Sequence, residues 1–571
     1  MSIVSPDTKS TLVQAPKEST DPNIRLFAEK MKAPFFVAEL LWKKNIRSAE
    51  SARSFFLAEF QGDCDLSLML DFEKAVTILE GVQLNGEKIM VHGDYDVDGI
   101  SATAILYRAL KLCGYNAEYF IPHRFNDGYG ISEKNIKKFK AQGIKWLLTV
   151  DTGVSALKEI TLARQLGIKV IVTDHHQVPS ELPPAEAVVN PNQQGCSYPN
   201  KSLCGAALAY LLAVRLLMNK KISVPDYFIS LVAVASLADI VPVTPENRFL
   251  IRKGLRLLQV TQHPGLSRLL KSVSLHKKEL ASTDVLFKIS PLLNAPGRLD
   301  SPMLSFKLLD TDNNTESDQL MSVISGLNEK RKLLDKAIFA EAVSLIESQY
   351  TDTDNSCYVL ASEKWHEGVI GITAAKLSEK YCRPVFIISI TGAIARGSGR
   401  SFNNFNLYKA LKHCGDTLEQ WGGHHAACGL SIRPENIDSF RHKINETAES
   451  FFKEVSTKKS FAPDICVTLA DITDDNLVWL KRFEPFGPGN ESPLFFVKDV
   501  SLKGNARVVG EEHLKCVVSD GKVHYPVIAF GMGHIASQLR PGQPLNLAFY
   551  PEWNYYINRR TIQLRVVAID F

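Results

Sequence analysis

Residues 90–99 read MVHGDYDVDG, and they set Asp94, Asp96 and Asp98 at alternate positions between an apolar segment, Lys88–Val91, and a helix-like segment, Ile100–Leu112. Three carboxylates crowded into one turn repel one another unless cations sit among them, because unpaired negative charge in a partly desolvated cleft has to be balanced. The stretch reads as a strand-to-helix turn that holds metal. The competing reading is a solvated acidic loop, since Asp-rich turns are common.

The downstream sequence separates these two readings. Strand-like and helix-like segments keep alternating: Ala117–Ile121 and a helix over 132–142, Trp146–Val150 and a helix over 155–166, then Lys169–Thr173 and a loop. The alternation predicts an α/β fold with a doubly wound, mostly parallel sheet whose strands are buried on both faces. Ligands of such sheets bind outside the carboxyl ends of the strands. Three of these ends carry acids or imidazoles: Asp94, Asp96 and Asp98 after the first strand, Asp151 in TVDTG after the third, and Asp174-His175-His176 in VTDHH after the fourth. Chance would scatter such groups through helices and loops. Asp239, in SLADIVP after the apolar helix Tyr227–Leu237, is a further acid that needs a partner if buried.

A set of Asp oxygens with one or two imidazoles suits Mn²⁺ or Mg²⁺ better than thiolate-loving zinc. Two such ions, about 3.5–4 Å apart and sharing a carboxylate and a water, would activate that water and neutralise a phosphate under attack. Phosphoester hydrolysis is the reaction this set points to. Asp151, central among the strand ends, is the candidate bridging ligand. Neutral His175 suits ligation, while His176 would reach a phosphoryl oxygen or the leaving group. His92 reads equally as a ligand or as core packing. Arg124 in PHRFNDGYG, Arg298 in NAPGRLD and Arg400-Ser401 in GSGRS each join a guanidinium to Gly or Pro turns, where side chain and backbone can both approach an anion. Taken singly, each also reads as an ordinary surface arginine.

With 571 residues the chain exceeds one core, so three or four domains are expected. Its 45% hydrophobic and 22% charged residues are those of a soluble globular protein. A net charge of +4 permits a polyanionic partner without demanding one. The ten cysteines form no Cys-x-x-Cys pair and read as reduced, buried thiols. No secretory leader or apolar run of about 18 residues is evident, so a cytoplasmic address is expected.

The remaining sequence reads as follows: a flexible tail over 1–30; a helical N-terminal cap over 31–86, helical from Pro34 to Phe60; the first α/β domain over 87–308, with helices Ala206–Leu217 and Arg248–Leu270; and long connecting helices over 309–355. A second α/β domain over 356–455 carries the strands Cys357–Leu360 and Pro384–Ile390 and two turns, ARGSGRSF and WGGHHAACGL. Short strands over 462–571 predict a small antiparallel barrel.

HGDYDVDG, TVDTG, VTDHH and SLADIVP in this order resemble the DHH phosphoesterases. IPHRFNDGYG, LCGAALAY, NAPGRLD, GSGRSFNNFNLYKAL, GGHHAACGL and FEPFGPGNESPLF extend the resemblance from about residue 87 to the end, toward the branch that digests single-stranded DNA from its 5′ end. The resemblance implies that Asp94, Asp96, Asp98, Asp151, His175 and Asp239 line a site for two Mn²⁺ or Mg²⁺ ions, with His176 beside it. It also implies phosphate-binding roles for Arg124, Arg298, Arg400, Ser401 and His424. The second α/β domain then resembles the DHH-associated domain, and the barrel an oligonucleotide-binding (OB-like) one.

By the same resemblance, single-stranded DNA threads between the α/β lobes, the Arg/Ser pocket stops its 5′ end, and 5′-mononucleotides leave. Bases would stack on barrel aromatics, with Phe530, Phe549, Tyr550, Trp553 and Tyr555 as candidates. The barrel segment from Pro463 carries eleven Lys/Arg against twelve Asp/Glu, so its DNA-binding role rests on the resemblance and not on charge. A monomer is implied, with a single-stranded-DNA-binding protein and a RecQ-type helicase as partners in DNA repair and recombination. Two alternatives stand beside this reading: a phosphodiesterase of short oligonucleotides or cyclic dinucleotides, and a catalytically silent DNA-binding scaffold.

Overall fold

In this computed structural model the structure describes residues 12–13, 15–17, 19–58, 65–128, 130–276, 279–350, 355–453, 460–510, 512–556 and 559–571. The chain forms two compact units, one of residues 1–53, 332–482 and 492–571, the other of residues 54–331 and 483–491.

The second of these units holds a five-stranded parallel sheet. Its strands are β1 (Ile89–His92), β2 (Ala117–Phe120), β3 (Trp146–Val150), β4 (Lys169–Thr173) and β5 (Ala187–Val189), in the spatial order β2-β1-β3-β4-β5. Every residue of β1 and β3 is buried, as expected of strands covered on both faces. On one face β1 and β3 meet Ile100, Ile105 and Leu208, from the helices Val97–Leu112 and Gly205–Asn219; on the other, Met90, Leu147 and Val172 meet Ile136, Phe139 and Ile160. The α/β reading holds, with β5 an addition: at three residues it has no periodicity to show, and the sequence reads there as loop.

Three helical expectations change. Helix Pro22–Met31, capped by Asp21, occupies the last part of the expected tail. The expected helix 248–270 is two, Pro245–Gln259 and Pro264–Ser272, because Pro264 cannot continue a helix and instead opens the next one behind the His263 cap. The connecting region is a single helix, Asn314–Gln349, and the two units divide inside it, between Arg331 and Lys332. The expected cap likewise divides between Arg53 and Ser54, and residues 59–60 of its helical stretch lie outside the described residues.

In the other unit, a five-stranded sheet joins β6 (Tyr358–Ser362), β7 (Val385–Ser389), β8 (Ala395–Arg400), β9 (Gln420–Gly423) and β10 (Ala427–Ile432) in the order β9-β10-β8-β7-β6, with only β6 and β7 parallel. Both stretches expected as Gly-rich turns are strands here. ARGSGR is the central strand β8, and WGGHHAACGL is the β9–β10 hairpin.

The C-terminal strands are β11 (Ile465–Cys466), β12 (Phe495–Leu502), β13 (Arg507–Val509), β14 (His513–Ser519), β15 (His524–Ala529), β16 (Pro544–Tyr556) and β17 (Arg559–Asp570). Pairing runs β12-β16-β17-β15-β14, and β14 returns to β12, which closes a five-stranded barrel. It is not wholly antiparallel: β15 runs parallel to β17, and β11 to β12. Helix Phe35–Lys43 packs on it, with Phe36 edge-on to Phe495 at 5.9 Å and Lys43 donating to the Asp464 carbonyl.

Candidate metal centre

The turn after β1 is fixed by its own carboxylates. Asp94 Oδ1 accepts from the Tyr95 amide at 2.8 Å, and Asp96 caps the helix Val97–Leu112 by accepting from the Asp98 and Gly99 amides at 3.0 and 3.1 Å. Asp98 stands in the first turn of that helix. Its two oxygens accept from Gly205 and Ala206, each at 2.7 Å, at the N-terminus of the helix Gly205–Asn219. Gly205 is required there, since a Cβ on it would stand 2.5 Å from the Asp151 Cβ.

Asp151 follows β3 in the left-handed region, φ +60°, with its amide bonded to the Thr173 carbonyl. His175 Nε2 lies 3.0 Å from Asp151 Oδ1, 3.7 Å from Asp98 Oδ2 and 3.8 Å from Asp239 Oδ2. Three donor sets come together within 4.8 Å each: Asp94, Asp96 and Asp151; Asp98, His175 and Asp239; and Asp151, His175 and His176. Asp151 and His175 each belong to two sets.

Mutual repulsion and burial raise the proton affinity of these acids. Burial, then the neighbouring Asp96, pushes Asp94 well above the usual carboxylate range; burial and Asp98 raise Asp96; burial and then Asp98, Asp96 and Asp94 push Asp151 well up. Asp239 rises to about 8 through burial, Asp98 and Asp96. Burial lowers His175, which favours the neutral imidazole that a metal ligand requires. His176 differs: burial lowers it, but its Nδ1 bond to Asp174 at 2.7 Å and the Asp174 charge outweigh that and bring it to about 9. In the metal-free fold it therefore keeps its proton at neutral pH, which leaves Asp94, Asp96 and Asp151, and Asp98, His175 and Asp239, as the sets free to ligate. Among the described residues, buried Asp151 Oδ1 has no hydrogen-bond partner, although His175 Nε2 stands 3.0 Å away. An orphaned carboxylate oxygen where hard N/O donors overlap fits divalent ions such as manganese or magnesium.

Arg124 and Arg298 meet at Tyr95. The Arg124 guanidinium lies over the Tyr95 ring, 5.4 Å from its centroid, and both arginine charges act on the Tyr95 hydroxyl. Arg400, Ser401 and His424 belong to the other unit, where β8 meets β10. Arg400 pairs with Ala427, Ser401 N donates to the Ala426 carbonyl, and His424 N to the Ala427 carbonyl. The Ser401 hydroxyl donates to the Phe405 carbonyl at 2.5 Å, whereas the hydroxyl that meets Arg400 is Ser398, 3.0 Å from Nη1. His92 stands outside the three sets. It is fully buried, 5.3 Å from Phe120 and 6.1 Å from Phe139 between ring centroids, and burial holds it at about 4. Of the barrel aromatics, Phe549 is core, Tyr550 lies under Arg565, Trp553 donates to Asp474, and Phe530 and Tyr555 are exposed.

The structure adds a role for Asp174, already noted at a strand end, and brings in residues the sequence reading did not single out. Asp174 is buried and faces inward, accepting from the Val154, His175 and His176 amides, and it sets the His176 ring. Asn190 and Asn192 donate to the His176 and His175 carbonyls at 2.9 and 2.8 Å. The NPN at 190–192, directly after a short apolar run, is the signal that would have found them. Ser398, two positions before Arg400 on β8, shares its strand face.

The chain is similar to known proteins over most of its length. Residues 88–236 match the DHH family, N-terminal domain; residues 354–450 match the DHHA1 domain; residues 463–568 match the RecJ OB domain. The single-stranded-DNA-specific exonuclease RecJ of Bacillus subtilis (strain 168) is 32% identical over 551 residues, 95% of this chain and 69% of that protein. The protein of the same name from Escherichia coli (strain K12) is 31% identical over 575 residues, 97% of this chain and 98% of that one. A crystal structure of RecJ in complex with Mn²⁺ from Thermus thermophilus superposes with a TM-score of 0.83 at 26% identity, covering 99% of this chain and 80% of that chain. A Mg²⁺ complex from the same organism gives 0.77 at 25% identity, covering 98% and 78%.

Proposed function

The chain belongs to the RecJ family of single-stranded-DNA-specific exonucleases, and on that premise we propose how its site works. It is a metal-dependent phosphodiester hydrolase that removes 5′-mononucleotides from the 5′ end of single-stranded DNA, with manganese or magnesium as cofactor. When bound, two such ions supply the charge that activates water and neutralises the attacked phosphate.

Asp94, Asp96, Asp98, Asp151, His175 and Asp239 would hold them, with Asp151 shared. The observation that carries this assignment is the orphaned Asp151 oxygen 3.0 Å from His175 Nε2, where the Asp94-Asp96-Asp151 and Asp98-His175-Asp239 sets adjoin. The helix N-terminus at Gly205 fixes Asp98, and the Asn190 and Asn192 amides fix the His175-His176 backbone. In the reaction the oxygen of water joins phosphorus, the bond from phosphorus to the departing 3′ oxygen breaks, and one water proton goes to solvent. His176, charged through Asp174, donates to a phosphoryl oxygen or gives its proton to that 3′ oxygen. Arg124 and Arg298, beside Tyr95, orient the strand's phosphates. Arg400, Ser401 and His424 hold the terminal 5′ phosphate, with Ser398 as a fourth member of that group. Work on DNA repair and recombination intermediates in the cytoplasm, as a monomer beside a single-stranded-DNA-binding protein and a RecQ-type helicase, completes the reading.

The test is digestion of 5′- and 3′-labelled single strands, duplex and a cyclic dinucleotide with Mn²⁺. Progressive loss of the single strand from its 5′ end, abolished in Asp151→Ala, is the expected result. Cleavage confined to the cyclic dinucleotide, or binding of the single strand without cleavage, would refute it.

A further inference from the structure

The helix Asp226–Ala238 ends in a conformation that its own sequence disfavours. Ile240 N donates to the Leu237 carbonyl and Val241 N to the Ser236 carbonyl, each at 3.2 Å, and this ending passes through one left-handed residue. That residue is Ile240, at φ +57°. Glycine holds such a position freely, whereas a β-branched side chain crowds its own backbone. The turn cannot relax, because the chain beyond it is fixed. Val241 is buried, Asn247 Nδ2 donates to the Pro242 and Ser202 carbonyls at 2.8 and 2.7 Å, and Val243 N donates to the Pro488 carbonyl at 2.7 Å. Surroundings that over-determine a strained residue in this way are what allow it to persist. Core packing does not account for it, since Ile240 is 59% exposed. Its chain neighbour is Asp239, whose Oδ2 stands 3.8 Å from His175 Nε2.

A branched apolar side chain held in solvent, where glycine would fit better, beside the carboxylate cluster has a use outside the fold. We propose that Ile240 is a substrate-contacting residue whose side chain packs on the apolar sugar and base face of the nucleotide at the cluster. The inference rests on the hydrolase reading and adds a determinant of substrate binding to it. Such contact is present before and during the reaction alike, so its loss raises KM and leaves kcat in place.

The experiment measures hydrolysis of 5′-labelled single-stranded DNA by the full chain with Mn²⁺, for wild type, Ile240→Gly, Ile240→Asn and Ile240→Val. Gly and Asn both accept the left-handed region, so neither variant melts below wild type. Both raise KM by about tenfold at unchanged kcat, and Val keeps the wild-type KM. Unchanged KM in Gly and Asn overturns the proposal. A fall in kcat alone, or weaker Mn²⁺ binding, also overturns it, because Ile240 would then act through Asp239. Wild-type protein that leaves every strand intact refutes the hydrolase reading instead; equilibrium binding of the same labelled strand then decides the role of Ile240 by the same fold-change.

Discussion

On the proposed reading, proton and metal compete for the acidic residues of the cluster. Asp94, Asp151 and Asp239 are raised in the metal-free fold, Asp239 to about 8, while in the unfolded chain such groups ionise near pH 4, at about 3.9. Raised groups lend stability that is fully present below the unfolded value and is lost as pH rises through the folded one. Metal-free protein should therefore lose melting temperature between about pH 4 and 8, and Mn²⁺, which replaces the protons, should raise Tm more at pH 8 than at pH 6. Thermal melts at both pH values check this, and an increment independent of pH contradicts it. His176 makes the second test at this scale. With its charge set by Asp174, activity that needs the imidazolium falls only as pH climbs past about 9. Asp174→Asn removes the charge, and the alkaline limb of the pH–rate profile should move to the ordinary value of about 6.5, with roughly thirtyfold less activity at pH 8. An unmoved limb would exclude His176 from the reaction. The candidate ligands were legible because alternate Asp residues at strand ends are contiguous in sequence. The different duty of Asp174 was not, since only hydrogen-bond directions separate an acid facing amides from one facing a cavity.

Among the elements, β8 shows why some of the fold stayed hidden. ARGSGR has the composition of a turn, yet its glycines alternate. A Cβ at Gly397 would stand 2.6 Å from Leu430 Cδ1, and one at Gly399 2.5 Å from Phe386 Cε1. The strand leaves its inner face empty so that side chains of β7 and β10 fill the core, while Arg396, Ser398 and Arg400 line the outer face. Hydrophobic alternation, the usual signal of a strand, is carried by its neighbours and is invisible in β8 itself. Gly399→Ala should overpack this core and cost about 1–3 kcal/mol. Gly422→Ala on β9, where a Cβ meets nothing within 4 Å, should leave the melt almost unchanged. Calorimetry of the two variants side by side gives the comparison, and equal melts would mean that Phe386 has room to give way.

At the scale of the molecule, one unit is closed by sequence from far downstream. Residues 483–491 fold with residues 54–331. There Phe483 packs edge-on against Phe55 and Phe56 at 5.6 and 5.3 Å, and its carbonyl accepts from buried Arg248 Nη1 at 2.7 Å. The Pro488 carbonyl holds Val243, four residues beyond Asp239. The sequence shows FEPFGPGNE as a motif, but nothing in it tells that the segment braces the loop after Asp239 some 240 positions earlier, because that depends on a long-range pairing without local periodicity. Phe483→Ala and Phe549→Ala each empty a fully buried aromatic site, one in this unit and one in the barrel, and each should cost about 3–5 kcal/mol. Their effects should separate when Mn²⁺ is titrated. Phe483→Ala loosens the loop that carries Asp239, so it should weaken Mn²⁺ binding and shrink the Mn²⁺-induced rise in Tm. Phe549→Ala should lower the melt of the barrel and leave Mn²⁺ affinity at the wild-type value. Calorimetric melts with and without Mn²⁺ read both quantities, and equal loss of Mn²⁺ affinity in the two variants would show that bracing of the site extends to the barrel.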